Sequence, residues 1–365
     1  MLLTFLAALV INPPVSADKG VVVGYYPSWV GDEYPPTAID FTPFTHIGHA
    51  FLTAKPDGSV ITDGTVPSQE LTGLAHEAGV KVMLTVGGAD SGGEFFNALG
   101  RSARARGKFI DGTLRIVEEN GYDGVDLDWE FPENSRDRAN LSKLAQEFRI
   151  RLDELGGRIG RRFSLNSSLP AGDYYGRWYD AAVLAKECDF LGVMTYDFTG
   201  SWRDVAAHNA ALRPSPRDPQ SASVIGSMEY WTKKRGIPID KLVVGLPCYG
   251  RGFDVPEPYA AIPKGAPQSR VAEVDYRDIT PLLTAGWIRR WDADSGIPWL
   301  ISPDGKSILG YDDPESAAAK GRWAREAGFG GILFWEMNAD RMPDGSHPVI
   351  SAAVRAWRDP SPTKR

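Results

Sequence analysis

The chain has 365 residues, of which 42% are hydrophobic and 24% are charged, so it can bury a large core. Its formal net charge is -7 at pH 7, and Lys and Arg form no stripe along the sequence. Nucleic-acid binding depends on clustered basic residues, so we expect no nucleic-acid partner. The 11 Trp, 13 Tyr and 15 Phe exceed what such a core requires, and flat aromatic faces suit the apolar faces of sugar rings.

The N-terminal segment predicts export. Residues 2–11 are largely apolar but too few to span a bilayer, and the Val-Ser-Ala sequence at 15–17 has the small residues that a signal peptidase accepts. We therefore expect a signal peptide over residues 1–17 and a mature chain that starts near Asp18. The protein is expected to be secreted, extracellular or periplasmic, monomeric and without a membrane partner.

The two cysteines are predicted to be free, buried thiols. Cys188 and Cys248 are the only cysteines, and the predicted strands place them at opposite ends of neighbouring strands. That separation is about 20 Å at the rise of an extended strand. A disulfide requires Cα atoms within about 7 Å, so the two thiols should not pair.

Eight short runs rich in apolar and β-branched residues indicate strands that are buried on both faces. These runs are residues 21–26, 45–52, 80–88, 122–129, 162–169, 189–197, 241–250 and 330–337. Helix-like segments lie between most of them, such as 136–155 and 314–327. Eight alternations of strand and helix predict a (β/α)8 TIM barrel, and a doubly wound open sheet is the competing fold.

The interval between the seventh and eighth runs is the longest and can hold an additional subdomain. We predict an α+β insertion over residues 254–309, between strands 7 and 8 of the barrel. The barrel itself is then formed by residues 18–253 and 310–358. Connections that follow barrel strands surround the active-site face, so the insertion should lie beside that face.

The fourth run contains three alternating acids, Asp126, Asp128 and Glu130, in the sequence DGVDLDWE. Successive side chains of a strand point to opposite faces, so these three share one face and stand about 6.6 Å apart. Burial and neighbouring negative charge both raise carboxyl pKa values, so the three cannot all ionise easily. The last acid, Glu130, should lie nearest the barrel mouth and can stay protonated.

Polar clusters at the ends of other strands point to the same face of the barrel. They are residues 85–88, Tyr196 with Asp197, Tyr249 with Arg251, and Trp335 with Glu336. Chemistry in such barrels takes place at the C-terminal ends of the strands.

Other functional motifs are poorly supported. The sequence GADSGGEF at 88–95 resembles a serine-protease motif but lacks a matching histidine context. His46 and His49 are three residues apart on a strand and face opposite ways, which makes them poor metal ligands. Carboxylates such as these three also bind Ca²⁺ or Mg²⁺, but the flanking aromatic residues favour a sugar. We expect neither a metal nor a cofactor.

The acidic motif DGVDLDWE resembles the DxxDxDxE signature of family 18 glycoside hydrolases, the chitinases. MTYDF, GLPCYGRGF and YDDPES followed by GGILFWEMNAD match later segments of that family in the same order, from about residue 21 to 357. The resemblance implies hydrolysis of β-1,4 bonds in chitin and its oligosaccharides. Two alternatives remain: a non-catalytic chitin-binding lectin, which typically loses the residue at Glu130, and a hydrolase of peptidoglycan or N-glycans with the same fold.

The resemblance also implies a retaining, substrate-assisted mechanism in which the 2-acetamido carbonyl of the substrate is the nucleophile. Glu130 would donate a proton to the glycosidic oxygen and later accept one from water. Asp128 would orient the acetamido group and share a proton with Asp126 or Glu130. Tyr196 would donate a hydrogen bond to the acetamido oxygen.

Further residues are implied in substrate binding. Trp335 resembles the tryptophan that forms the floor beneath the distorted sugar. The other predicted substrate-binding residues are Tyr25, Phe51, Trp129, Met194, Asp197, Trp202, Tyr249 and Arg251. The insertion resembles the subdomain that forms a wall along the substrate cleft in one branch of the family.

Overall fold

The computed structural model describes residues 20–62, 65–89, 94–262 and 271–359. The predicted signal peptide lies outside these residues. In chain order, the strands are β1 Val21–Pro27, β2 His46–Ala54, β3 Val60–Ile61, β4 Lys81–Gly87, β5 Gly124–Asp128, β6 Ser164–Leu169, β7 Phe190–Val193, β8 Leu242–Pro247, β9 Tyr249–Phe253, β10 Val271–Asp275, β11 Ile288–Asp292, β12 Ile297–Ile301, β13 Ile308–Gly310 and β14 Gly331–Trp335. The helices are α1 Gln69–Glu77, α2 Glu94–Arg101, α3 Ala103–Glu119, α4 Ser135–Ile159, α5 Asp173–Gly176, α6 Ala181–Glu187, α7 Val224–Glu229, α8 Tyr276–Thr284, α9 Pro314–Glu326 and α10 Pro348–Arg358.

Eight parallel strands form a closed barrel. Their order is β1-β14-β8-β7-β6-β5-β4-β2, and β1 also pairs with β2, which closes the ring. Each barrel strand overlaps one of the eight apolar runs, so the predicted TIM barrel is confirmed. The short β3 pairs antiparallel with the end of β2.

The barrel has an inner and an outer layer of core residues. The large cluster packs strand residues such as Val125 and Leu127 against helix residues such as Phe148, so it lies outside the barrel. The small cluster contains the alternate strand positions, including Val23 and Met83, and therefore lies inside it. The phase of each strand thus decides which side chains reach the interior.

The helix α4 shows how local sequence fixes the outer layer. It begins after Asn134, whose side chain accepts hydrogen bonds from the backbone N–H groups of residues 136 and 137. Leu144 and Phe148 are buried at helical spacing, as the sequence predicts. The helix ends at Gly160, whose φ of 84° suits a residue without a side chain.

A second sheet is formed from residues between β8 and β14. Its five antiparallel strands have the order β10-β9-β13-β12-β11, and α8 follows β10. The sheet already begins at Tyr249, within the run at 241–250 that the sequence assigns to a barrel strand. The α+β character and position agree with the expected insertion, while the division into domains at 254–309 stays a prediction.

Both cysteines are free and buried, so the prediction of two unpaired thiols is confirmed. Cys188 precedes β7, and Cys248 lies between β8 and β9. Burial raises the pKa of both thiols. Among the residues that the structure describes, no helix combines the length and apolar character needed to cross a bilayer. Export and a monomeric state stay predictions.

Candidate active site

The strand β5 directs two acids into the barrel. Val125 and Leu127 pack in the outer core with 0% exposure, so the alternating Asp126 and Asp128 point inward. Glu130 follows the end of β5 and is half-buried. Its negative charge acts on Asp128. We call Asp126, Asp128 and Glu130 the mouth acids.

Asp126 is held by neutral hydroxyl groups. Its Oδ2 accepts hydrogen bonds from Tyr25 Oη at 2.8 Å and from Thr85 Oγ1 at 3.3 Å. Burial raises the pKa of Asp126 to about 6, although both hydrogen bonds act in the opposite direction. The carboxyl group therefore takes up a proton far more easily than an exposed aspartate.

The pKa of Asp128 is raised by burial and by both neighbouring acids. Burial raises its pKa well above the ordinary value, the charges of Glu130 and Asp126 raise it further, and a hydrogen bond with Ser168 opposes these effects. Asp128 is 4% exposed, and its Oδ1 has no hydrogen-bond partner among the described residues. Buried polar atoms are usually paired, so this oxygen is well suited to receive a hydrogen bond from a ligand.

Tyr196 lies in the electrostatic field of these acids. It is 8% exposed, and burial raises its pKa, followed by the charges of Asp128 and Glu130. The hydroxyl group consequently remains protonated and can serve as a hydrogen-bond donor. Its ring packs edge-on against Tyr249, with the ring centroids 6.3 Å apart.

Three predicted substrate-binding residues meet at Asp197. Its Oδ1 accepts hydrogen bonds from Tyr249 Oη at 2.8 Å and from Arg251 Nη2 at 2.6 Å. The backbone of Asp197 has a positive φ of 55°. Arg251 also pairs with Glu273 of β10 at 3.0 Å, so this group joins the barrel rim to the second sheet.

Aromatic side chains form another part of the barrel mouth. Trp335 stacks on Phe51 with ring centroids 5.6 Å apart and an interplanar angle of 24°. The ring centroids of Tyr25 and Trp29 lie 5.6 Å and 6.4 Å, respectively, from the ring centroid of Trp335. Sequence reasoning missed Trp29, which is 59% exposed, although its place directly after the end of β1 marks it as a rim residue.

Two other predicted residues lie at the edge of this region. Trp202 is 62% exposed, and the Arg251 guanidinium lies 5.6 Å from its ring centroid. Met194 is half-buried and packs against the inner core cluster. The structure thus brings Trp202 to the group around Asp197, while Met194 lies beneath it in the barrel interior.

The structure corrects the prediction for Trp129. This residue is 2% exposed and stacks on Phe96, with ring centroids 4.9 Å apart and an angle of 10°. Because Trp129 alternates with Asp128, its side chain lies in the outer core and not in the barrel. It supports β5 from behind and does not face a ligand at the mouth.

A second group of carboxylates lies where the barrel meets the second sheet. We call Glu273, Asp275 and Glu336 the junction acids. Burial raises the pKa of Glu336 to about 8, with further contributions from the charges of Asp275 and Glu273. Arg277 pairs with Asp275 at 3.2 Å, and Arg251 pairs with Glu273. Within the described part of the chain, no group of three His, Cys, Asp or Glu residues could hold a metal ion.

Known proteins resemble this chain along most of its length. The family described as "Glycosyl hydrolases family 18" matches residues 21–340. A probable endochitinase of Caenorhabditis elegans is 32% identical over 296 residues, which cover 76% of this chain and 48% of that protein. Chitinase 1 of Aphanocladium album is 27% identical over 392 residues, with coverage of 95% and 89%. The chain thus spans about half the length of the nematode relative and most of the fungal one.

Solved structures give the same result. The Group IV chitinase of Ostrinia furnacalis is similar with a TM-score of 0.83 at 25% identity, covering 93% of this chain and 100% of that one. A chitinase of Cycas revoluta in complex with (GlcNAc)4 has a TM-score of 0.82 at 25% identity, with coverage of 92% and 99%. The family match, the fold and the acids on β5 agree, and this chain belongs to glycosyl hydrolase family 18.

Proposed function

We propose that this protein hydrolyses β-1,4 glycosidic bonds in chitin and chitin oligosaccharides by a retaining, substrate-assisted mechanism. The observation that carries the proposal is the arrangement of the mouth acids. A buried Asp128, whose Oδ1 has no hydrogen-bond partner in the described part of the chain, precedes Glu130 at the open end of the barrel. The names of the relatives and the (GlcNAc)4 complex of the Cycas revoluta chitinase support this class of substrate.

Substrate binding rests on the aromatic groups and on the cluster around Asp197. The apolar face of a sugar ring stacks on an aromatic face, and Trp335 with Phe51 and Trp29 provides such a surface. The carboxylate of Asp197 is bound to Tyr249 and Arg251. Ring stacking positions the sugar, and the polar group binds its hydroxyls.

In the first step Glu130 donates its proton to the glycosidic oxygen as the bond to the leaving sugar breaks. The acetamido carbonyl oxygen of the remaining sugar attacks its own C1 and forms an oxazolinium ring. The Oδ1 of Asp128, which has no partner among the described residues, accepts a hydrogen bond from the acetamido N–H. The protonated hydroxyl of Tyr196 donates a hydrogen bond to the acetamido oxygen.

In the second step the carboxylate of Glu130 accepts a proton from water as that water attacks C1 and opens the ring. Two inversions at C1 give overall retention of configuration. The negative charge on Glu130 raises the pKa of Asp128, so Asp128 holds a proton while Glu130 is ionised. Asp126, with its pKa of about 6, is the neighbouring site for that proton.

Time-resolved analysis of chitin oligosaccharide hydrolysis tests the proposal. We expect the β-anomer at the newly formed reducing end before mutarotation, and no turnover of fully deacetylated chitosan chains, which lack the internal nucleophile. An initial α-anomer, or equal hydrolysis of deacetylated chains, would contradict the mechanism. Binding without hydrolysis would favour the lectin alternative, and turnover of peptidoglycan or N-glycans alone would favour the third one.

Export is a separate part of the proposal. It is supported by the apolar run at residues 2–11 and the small residues at 15–17. Expression of the full chain in a secreting host should release a protein whose N-terminus, determined by Edman sequencing, lies near Asp18. Retention of the uncleaved chain inside the cells would contradict it.

A further inference from the structure

The long connection from β7 to α7 carries Tyr196 and Asp197 at its start. Apart from a single isolated bridge between Val205 and Ala261, residues 194–223 form neither helix nor strand. Many of these residues are nevertheless buried. Arg203, for example, pairs with Asp218 at 2.5 Å with side-chain exposures of 2% and 6%. Buried polar side chains therefore hold this connection in place.

Asn209 is the buried side chain that reaches back to the site. It is 0% exposed. Its Oδ1 accepts a hydrogen bond from the backbone N–H of Asp197 at 3.2 Å, and its own carbonyl accepts one from Phe198 N–H at 3.0 Å. Its Nδ2 donates to the carbonyl of Tyr249 at 3.4 Å. One residue thus binds the backbone on both sides of the Asp197–Tyr249 contact.

The backbone conformation of Asp197 makes its N–H contact important for placing the side chain. Its φ of 55° lies in the left-handed region, which residues other than glycine adopt infrequently. The carboxylate is held from the other side by Tyr249 Oη and Arg251 Nη2. The hydrogen bond from the Asp197 N–H to Asn209 fixes the backbone of Asp197, while the other two hydrogen bonds fix its carboxylate.

The residue before Asn209 fixes the same connection to the second sheet. His208 is 2% exposed, and its Nε2 lies 3.1 Å from Asp292 Oδ2 on β11. Its ring centroid lies 3.9 Å from that of Trp299 on β12. Two successive residues therefore contact two different parts of the molecule, His208 the second sheet and Asn209 the backbone of the site.

We infer that Asn209 is a positioning residue, which holds the backbone of Asp197 so that its carboxylate faces the substrate beside the scissile bond. The inference rests on the proposed function, because Asp197 is assigned there to substrate binding. Asn209 itself does not touch the substrate. It acts through Asp197 and also binds the carbonyl of Tyr249, whose hydroxyl group holds the Asp197 carboxylate.

A double-mutant cycle with Asn209→Ala and Asp197→Ala tests this inference on chitin oligosaccharides. Asn209→Ala alone should lower kcat/KM about tenfold or more, since small misplacements near a reacting group have large effects. In the Asp197→Ala background the same substitution should cost less than about threefold, because the group that it positions is gone. Equal losses in both backgrounds would overturn the inference.

Two further variants separate positioning from general destabilisation. Thr199→Val is the matched control, since Thr199 is 0% exposed on the same connection and its Oγ1 has no hydrogen-bond partner among the described residues. It should leave kcat/KM within about twofold of the wild type. Asn209→Asp keeps an oxygen acceptor for Asp197 N–H and should recover part of the activity that Asn209→Ala loses. A loss as large as that of Asn209→Ala would count against the role of this hydrogen bond.

Folding and the proposed function are checked separately. Circular dichroism and thermal unfolding should show that Asn209→Ala is folded at the assay temperature. If it is not, Asn209→Ser, which cannot span both partners, replaces it in the cycle with the same expected outcomes. Failure of the wild type to turn over chitin oligosaccharides refutes the proposed function. An active wild type with an additive cycle refutes the role of Asn209 alone.

Discussion

The mouth acids and the junction acids are two carboxylate groups of one protein with different neighbours. Hydroxyl groups of Tyr25 and Thr85 bind Asp126, and Ser168 binds Asp128. At the junction, guanidinium groups pair with Glu273 and Asp275.

The difference shows how surroundings decide what a carboxylate does. A guanidinium compensates a carboxylate charge and fixes it in an ion pair, which favours a structural tie between two sheets. Neutral donors orient a buried carboxyl without compensating its charge. Burial raises the pKa of the junction acids as well, so the two groups differ in the partners that hold them and not in the direction of the shift. We therefore expect substitutions at the mouth to change chemistry and substitutions at the junction to change stability.

Glu130→Gln should have the largest effect. The amide keeps the shape of the side chain but cannot transfer a proton, and general acid–base catalysis contributes about 10²–10⁴-fold. The kcat for chitin oligosaccharides should fall by that factor, while binding measured by calorimetry remains. Glu133→Gln is the control, because Glu133 is exposed three residues further on. A Glu130→Gln variant within a few-fold of the wild type would remove Glu130 from its assigned role.

Asp128→Asn should follow, with a loss of about 10²-fold in kcat, because preorganised contacts at the reacting group are worth roughly that factor. Its control is Asp123→Asn, which tests an acid outside the mouth group. Asp123 pairs with His76 at 2.8 Å and with Arg161, so its loss should lower the melting temperature and leave kcat unchanged. If Asp128→Asn and Asp123→Asn lowered kcat to a similar extent, the assignment of Asp128 as catalytic and Asp123 as structural would be wrong.

Trp335→Ala should lower kcat/KM about tenfold, the size expected for one aromatic stacking contact of 1–1.5 kcal/mol. The KM should rise and kcat should fall together, because the ring supports the distorted sugar more than the relaxed one. Trp323→Ala is the control, since Trp323 lies on α9 and contacts Phe329 in a tilted arrangement with ring centroids 5.2 Å apart. Unchanged steady-state kinetics for Trp335→Ala would make Trp335 a packing residue.

Glu336→Gln tests the junction and should have the smallest effect on turnover, because its effect is on the pH dependence of stability. The folded protein raises the pKa of Glu336 from 4.5 to about 8, so it binds more protons than the unfolded chain between those values. This group therefore makes the wild type less stable as pH rises through that window.

The amide does not titrate, so the free energy of unfolding of Glu336→Gln relative to the wild type should increase from pH 5 to pH 9. The increase should amount to roughly a few kcal/mol in urea titrations, since each pKa unit corresponds to about 1.4 kcal/mol. Glu326→Gln, at an exposed position on α9, should show no such trend. If the difference in free energy of unfolding between Glu336→Gln and the wild type did not change with pH, folding would not raise the pKa of Glu336.

The barrel and the mouth acids could be predicted because both depend on local pattern. Parallel strands covered on both faces are continuous apolar runs, and the alternation on β5 fixes which acids share a face. The same rule places Trp129 on the outer face, so its assignment to the site conflicted with the pattern that found Asp128. The alternation along β5 is thus sufficient to exclude Trp129 from the barrel interior.

The remaining features depend on contacts that sequence does not display. Trp29 lies in a connection without periodicity, and Asn209 lies in an alanine-rich connection whose sequence does not indicate which backbone groups its side chain binds. The start of the second sheet was missed because β8 and β9 are separated by Cys248 alone and form one run in the sequence. Long-range pairing, such as Arg251 with Glu273 across β9 and β10, appears only in the folded chain.

The two buried thiols can be used to measure local unfolding in two parts of the protein. Both are in their unreactive protonated form, since burial raises their pKa, and each is 1% exposed. An alkylating reagent therefore modifies Cys188 only when the segment before β7 opens, and Cys248 only when β8 and β9 separate. Mass spectrometry of peptides after timed labelling would give the two opening rates in one sample. Their ratio distinguishes a molecule that unfolds as one unit from one in which the second sheet detaches first.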